Sequence, residues 1–209
     1  MKYKKILLFF GLGIISGVLS IIITYLQGGF EHGSRGIIDY LFYVPGLIFG
    51  ILCLTSYIIF SEKSIRSLSI FKSMFWLVAS TISYYFSVQI TIRAVLYLES
   101  YMHTGMGRGL DHPYYPFVAL FLGGLFGSAS MLLGFTVLSN VFSPIRYVIL
   151  VFIGGILGWS WNFSYLFLFK ADIDSAIYVL LIIWQTGMMI AIGYVLEKNR
   201  WQSNNLANI

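Results

Sequence analysis

"PFVALFLGGLFGSASMLLGFTVLS", Pro116 to Ser139, runs for 24 residues without one charged side chain. A helix needs about 20 apolar residues to cross the hydrocarbon core of a bilayer. A buried core helix of a soluble protein can also be this apolar, so the stretch must be read against the rest of the chain. Of the 209 residues, 58% are hydrophobic and only 10% are charged. An average soluble domain is about 25% charged. A soluble fold of this size would be left with a largely greasy exterior. The bilayer is therefore the natural solvent, and Pro116–Ser139 reads as a transmembrane span.

Five more stretches match it: Ile6–Leu26, Ile37–Phe60, Ser73–Leu98, Tyr147–Phe169 and Ala176–Leu196. The expected fold class is all-α, a polytopic membrane protein whose one domain is a bundle of six transmembrane helices. "MKYKK" resembles the start of a signal peptide. The apolar stretch behind it is longer than a usual signal core and no A-x-A-type site follows, so it is expected to be a retained span.

The charges orient the bundle. With the N-terminus inside, nine of the 13 basic residues lie on the inner side: Lys2, Lys4, Lys5, Lys63, Arg66, Lys72, Arg146, Lys198 and Arg200. Arg35, Arg93, Arg108 and Lys170 are the outer four. The positive-inside rule then predicts N-in, C-in, and the setting expected is a bacterial cytoplasmic membrane. The formal charge of +5 marks one side of a membrane and not a nucleic-acid surface. Cys53, the single cysteine, lies in an apolar run, so neither an internal disulfide nor a thiolate metal site can be built. No cofactor is implied.

Spans four and five share a glycine pattern. Gly123, Gly124 and Gly127 recur as Gly154, Gly155 and Gly158, 31 residues on. GxxxG spacing strips bulk from one helix face and lets backbones approach. A tight antiparallel pair of spans four and five is expected. The same faces could instead seat a partner span or a second copy, or record a duplication of the kind found in transporters. "GSAS" in span four resembles the serine neighbourhood of intramembrane serine proteases. All three histidines (His32, His103, His112) fall in outer loops, so Ser128 and Ser130 have no obvious base.

Polar residues inside the bilayer are costly and so suggest function. Thr81, Tyr85, Gln89, Arg93 and Tyr97 recur every four residues in span three and are expected to face the bundle interior or a water-filled path. For Arg93 three roles are open: snorkelling to the headgroups, pairing with Asp39, or holding an anion. Gln185 lies mid-span beside Trp184 and Thr186, and Asn162 lies between Trp159 and Trp161 on one side and Phe163 on the other. An amide at such depth bonds a neighbouring helix. Alternatively Gln89, Asn162 and Gln185 converge on a small polar cavity walled by Trp159, Trp161 and Trp184. Val44-Pro45-Gly46 is expected to kink span two.

The long outer stretch "ESYMHTGMGRGLDHPYYP", Glu99 to Pro116, reads first as a connecting turn and second as a lid. Its glycines would also suit a lid, with His103, Arg108, Asp111 and His112 reaching a ligand. H-x8-H matches no strong metal motif, and no metal is assigned. Six short-looped spans with longer outer loops resemble, in size and topology, the substrate-binding membrane subunits of energy-coupling vitamin transporters. The expected function is a transporter or substrate-binding membrane subunit for a small solute. Its outward-facing site would be built from Arg93, Gln89, Tyr85, Gln185, Asn162, Trp161 and Trp184. A membrane enzyme using the outer histidines and aspartates is the second reading, and an accessory or scaffold subunit is the third.

Overall fold

The computed structural model describes residues 2–26, 43–61, 69–101, 114–140, 143–160 and 173–206. Among these residues it is all-helical: α1 Lys2–Leu26, α2 Val44–Ser61, α3 Ile70–Tyr101, α4 Tyr114–Ser139, α5 Pro144–Gly158 and α6 Ile173–Leu206. Four helices hold stretches long and apolar enough to cross a membrane: Ile6–Ile23, Ile70–Ala94, Phe117–Ser139 and Tyr178–Lys198.

The described parts of the other two are shorter. α2 has 18 residues and α5 has 15. At 1.5 Å of rise per residue they reach about 27 and about 22 Å, against about 30 Å of hydrocarbon. Residues 37–42 and 161–169 of the expected spans lie outside the described residues. Prolines mark both beginnings. Pro45 stands in the first turn of α2, where Leu47 N–H donates to Tyr43 O at 3.1 Å. Val44-Pro45-Gly46 opens the described part of α2, and the residues ahead of Tyr43 that would show the expected kink lie outside the described residues. Ser143 is extended and Pro144 begins α5.

The helices pack in a closed order: α1 on α2, α2 on α3, and so on to α5 on α6, with α6 returning to α1. Neighbours run antiparallel. Phe9 of α1 meets Phe60 of α2 with ring centroids 5.8 Å apart. Trp76 of α3 donates its indole N–H to Gly50 O of α2 at 2.8 Å and meets Phe135 of α4 edge-on at 5.6 Å. On α6, Gly193 lies against Phe9 and Ile182 against Gly17, so α6 descends as α1 ascends. The start of α1 and the end of α6 thus share one end of the bundle.

That end is tied by polar caps. Asn140 follows α4 with φ 56°, the left-handed conformation that closes a helix and that asparagine tolerates better than most residues. Its Oδ1 accepts from Lys72 Nζ at 2.8 Å, joining the close of α4 to the start of α3. Thr136 and Tyr147 share a hydroxyl–hydroxyl bond of 2.6 Å across the α4–α5 turn.

The core is filled by Phe9, Phe49, Trp76, Met131, Phe135 and Met188, all fully buried, with Cys53 among them. The outer surface is apolar too. Leu7 and Ile22 of α1 and Ile145, Val148, Ile149, Phe152 and Ile156 of α5 are exposed. Apolar surface on this scale is out of place in water and suits a lipid surround.

The expected α4–α5 pair forms, and through the expected glycines. A methyl added at Gly124 would lie 2.4 Å from Gly154 O, and one at Gly158 would lie 2.4 Å from Leu120 O. Gly123 and Gly127 face Thr91 and Ser87 of α3. The glycine faces considered for a partner span or second copy are thus filled by the chain's own helices.

Candidate functional site

The polar centre of the bundle is three consecutive residues of α6, Trp184, Gln185 and Thr186, all buried. Successive helix residues are turned by about 100°, so the three side chains leave α6 in three directions.

Gln185 turns to α1. Its Oε1 accepts from Ser16 Oγ, and its Nε2 donates to Ser20 Oγ at 3.0 Å. Ser20 Oγ in turn donates to Ser16 O at 2.8 Å. Gly13 and Gly17 make this reach short, because a methyl at either would lie within 2.7 Å of an α6 backbone atom. The amide therefore does what a mid-membrane amide does most simply, and bonds a neighbouring helix.

Trp184 turns to the opposite wall. Its ring lies 6.2 Å from the Phe49 ring of α2, and its Cζ2 edge faces Gly127 of α4. Gly127 also faces the Cβ and Oγ of Ser87, so α3, α4 and α6 meet at this glycine. Ser87 Oγ donates to Gly123 O at 2.8 Å. The Trp184 indole N–H has no hydrogen-bond partner among the described residues, and neither has the Thr186 hydroxyl.

The expected α3 stripe is placed differently from its prediction. Tyr85 is half-buried and stacks on Tyr43 at 5.0 Å with ring planes 6° apart. Gln89 is half-buried, whereas Arg93 and Tyr97 are exposed. Four residues advance a helix by about 400°, so a strict four-residue repeat drifts about 40° per step. Over four steps it leaves the interior. The inward face instead follows Trp76, Ser80, Ser83, Ser87 and Thr91, where a step of three corrects the drift. Trp76, Ser80 and Ser83 are buried, and Ser87 and Thr91 close on α4. Ser80, Ser83 and Thr91 donate to carbonyls of their own helix, which leaves a small, satisfied surface. One step of three among steps of four is the signal for this face.

Trp159 and Trp184 have different neighbours. Trp159 stacks on Phe117 at 4.4 Å, donates to Phe117 O at 3.1 Å and tilts over Phe121 at 4.9 Å, tying the close of α5 to the start of α4. Ser128 is buried and donates to Met188 Sδ at 3.4 Å, a packing contact between α4 and α6. Asn162 and Trp161 lie outside the described residues, as do Asp39, His32 and the expected lid residues His103, Arg108, Asp111 and His112. Among the described residues no three His, Cys, Asp or Glu side chains gather as metal ligands. Compared with protein-family models, with curated proteins and with solved structures, the chain matches none.

Proposed function

We propose that this chain is a small-solute transport protein or substrate-binding membrane subunit. In this reading six spans cross a bacterial cytoplasmic membrane with both ends inside, and the site faces outward. The observation that carries it is the Trp184–Gln185–Thr186 centre, buried at mid-length of a membrane-spanning helix. Polar groups at that depth are expensive and tend to be retained for use. Two of the three keep a polar atom without a partner among the described residues. Gln185 fixes α1 against α6 and so holds Trp184 in place. Tyr85, Gln89 and Arg93 lead along α3 from that level towards the end where the 99–115 loop departs. The reading also assigns to the site Asn162 and Trp161, and to its lid His103, Arg108, Asp111 and His112, all of which lie outside the described residues.

The test is reconstitution into vesicles and measurement of binding and uptake over a broad metabolite panel. Saturable binding or flux of some solute, weakened by substitution along Gln89 and Trp184, is expected. A well-folded protein that neither binds nor moves any member overturns the reading.

A further inference from the structure

Lys72 lies in the first turn of α3 and is half-buried. Its ammonium reaches across to the close of α4, where Asn140 Oδ1 is its one partner among the described residues. An ammonium carries three N–H donors, so two remain for another acceptor.

The apolar surface beside this cation is ordered. Successive helix residues turn by about 100°. On α4 that places Phe126, Leu133 and Val137 on one side, opposite the buried Met131 and Phe135, and all three are exposed. α3 borders this side through Ala79, which meets Gly134, and α5 borders it through Gly155, which meets Leu125. On α3, Lys72, Phe75, Ala79 and Phe86 share one edge by steps of three, four and seven. Lys72 and the exposed Phe75 and Phe86 therefore flank the outer side of α4. Asn140, exposed, follows Val137 by three residues and brings the Lys72 ammonium to the head of the strip. From Phe126 to Val137 the strip runs about 17 Å, close to one leaflet of a bilayer with about 30 Å of hydrocarbon.

A cation with donors to spare, at the head of an apolar strip one leaflet deep, matches a phospholipid in both of its parts. A partner helix would cover the strip without using the cation, and a soluble anion would use the cation without the strip. The headgroup is selected by charge. A choline headgroup would bring its own cation to Lys72, whereas a net anionic one would not, and each surface lysine favours anionic lipid.

We propose that the outer side of α4 binds one anionic phospholipid, whose phosphate oxygens accept from Lys72 Nζ and whose chain lies along Leu133 and Val137. The leaflet is the one at the start of α1, the inner leaflet in the orientation proposed above. Such a site requires the membrane setting but not solute binding, so either can fail without the other.

The test is native mass spectrometry of the full chain in mild detergent, with phosphatidylglycerol and phosphatidylcholine of identical chains as probes. Wild type should retain one phosphatidylglycerol about fivefold more strongly than phosphatidylcholine, the preference expected of one surface cation. Lys72→Gln should bring the two lipids level, and Lys72→Arg should keep the preference. Leu133→Asn should weaken both lipids alike. Lys198 is exposed at the same end but on α6, over the Tyr194 ring, so Lys198→Gln should leave the preference unchanged. The wild-type lipid pair carries the result if Lys72→Gln does not fold. Equal retention of the two lipids by wild type overturns the proposal. So does a preference that survives Lys72→Gln, or one that Lys198→Gln abolishes as fully, since the charge then acts as a diffuse field. Displacement of the lipid by inorganic phosphate would mark an anion site without the strip, and a dimer that excludes lipid would give the strip to a second copy; either overturns it.

Discussion

Two seams of this bundle, α1 on α6 and α4 on α5, are both closed by glycines, and only the first carries a polar network at its middle. At the α4–α5 seam the contact is backbone on backbone: Gly124 meets Gly154 O, and Gly158 meets Leu120 O. At the α1–α6 seam Gly13 and Gly17 bring the backbones equally close, and Ser16, Ser20 and Gln185 then bond across. Lipid supplies no hydrophobic drive between spans, so fit and hydrogen bonds must hold them. The α4–α5 seam relies on fit through its middle and has side-chain hydrogen bonds only at its two ends, Thr136 with Tyr147 and Trp159 with Phe117 O. The α1–α6 seam adds directional bonds at mid-depth, which set its register as well as its distance.

The largest expected effect tests fit. Gly124→Leu should cost about 1–3 kcal/mol, the usual range for overpacking, because no rotamer moves the Cβ away from Gly154 O. Gly17→Leu should cost as much, since its Cβ would lie 2.6 Å from Ile182 Cα. Unfolding in mixed detergent measures both. Two values within the error of wild type would show that the seams are looser than described.

Gln185→Leu comes next and sharpens the difference. Removing the amide should cost about 0.6–2 kcal/mol, with Ser16→Ala and Gln185→Leu non-additive because they share a bond. Strictly additive losses in a double-mutant cycle would show that the two side chains do not act together.

Asn140→Ala probes the turn that sets the α4–α5 seam. A non-glycine residue other than Asn held at φ 56° costs about 1 kcal/mol. The Lys72 bond goes as well, although at an exposed site it contributes little. Asn140→Gly keeps the conformation and loses only that bond, so it should be the milder of the two. Equal losses would assign the effect to Lys72 and not to the backbone.

Arg93→Gln is the smallest. Arg93 is exposed on α3 and outside both seams, so stability should stay within about 0.5 kcal/mol of wild type. A larger loss would place Arg93 in a structural ion pair.

The site was legible in part. Gln185 and Trp184 stood out because polar groups are rare in apolar runs, and both are at the bundle centre. Their separation was not legible. Adjacent in sequence, they face α1 and the α3–α4 contact, and nothing in the order of letters says which neighbour lies on which side. The α3 stripe shows the converse: a regular repeat drew the eye to Arg93, while the irregular series Ser80, Ser83, Ser87 lies on the inward face.

The sequence by itself determined that this chain is helical and built for an apolar surround. Apolar run length and scarcity of charge are local properties, and the cost of bare backbone in lipid admits few other answers. It also determined that α4 and α5 would touch through their glycines, since a short turn and matched small faces leave little choice. Only the tertiary structure decided that the ring closes by α6 returning to α1, that Gln185 is answered by Ser16 and Ser20, and that the Trp184 N–H is answered by no described residue. Those are contacts between residues up to 169 positions apart. Such contacts depend on how the six described helices share one core.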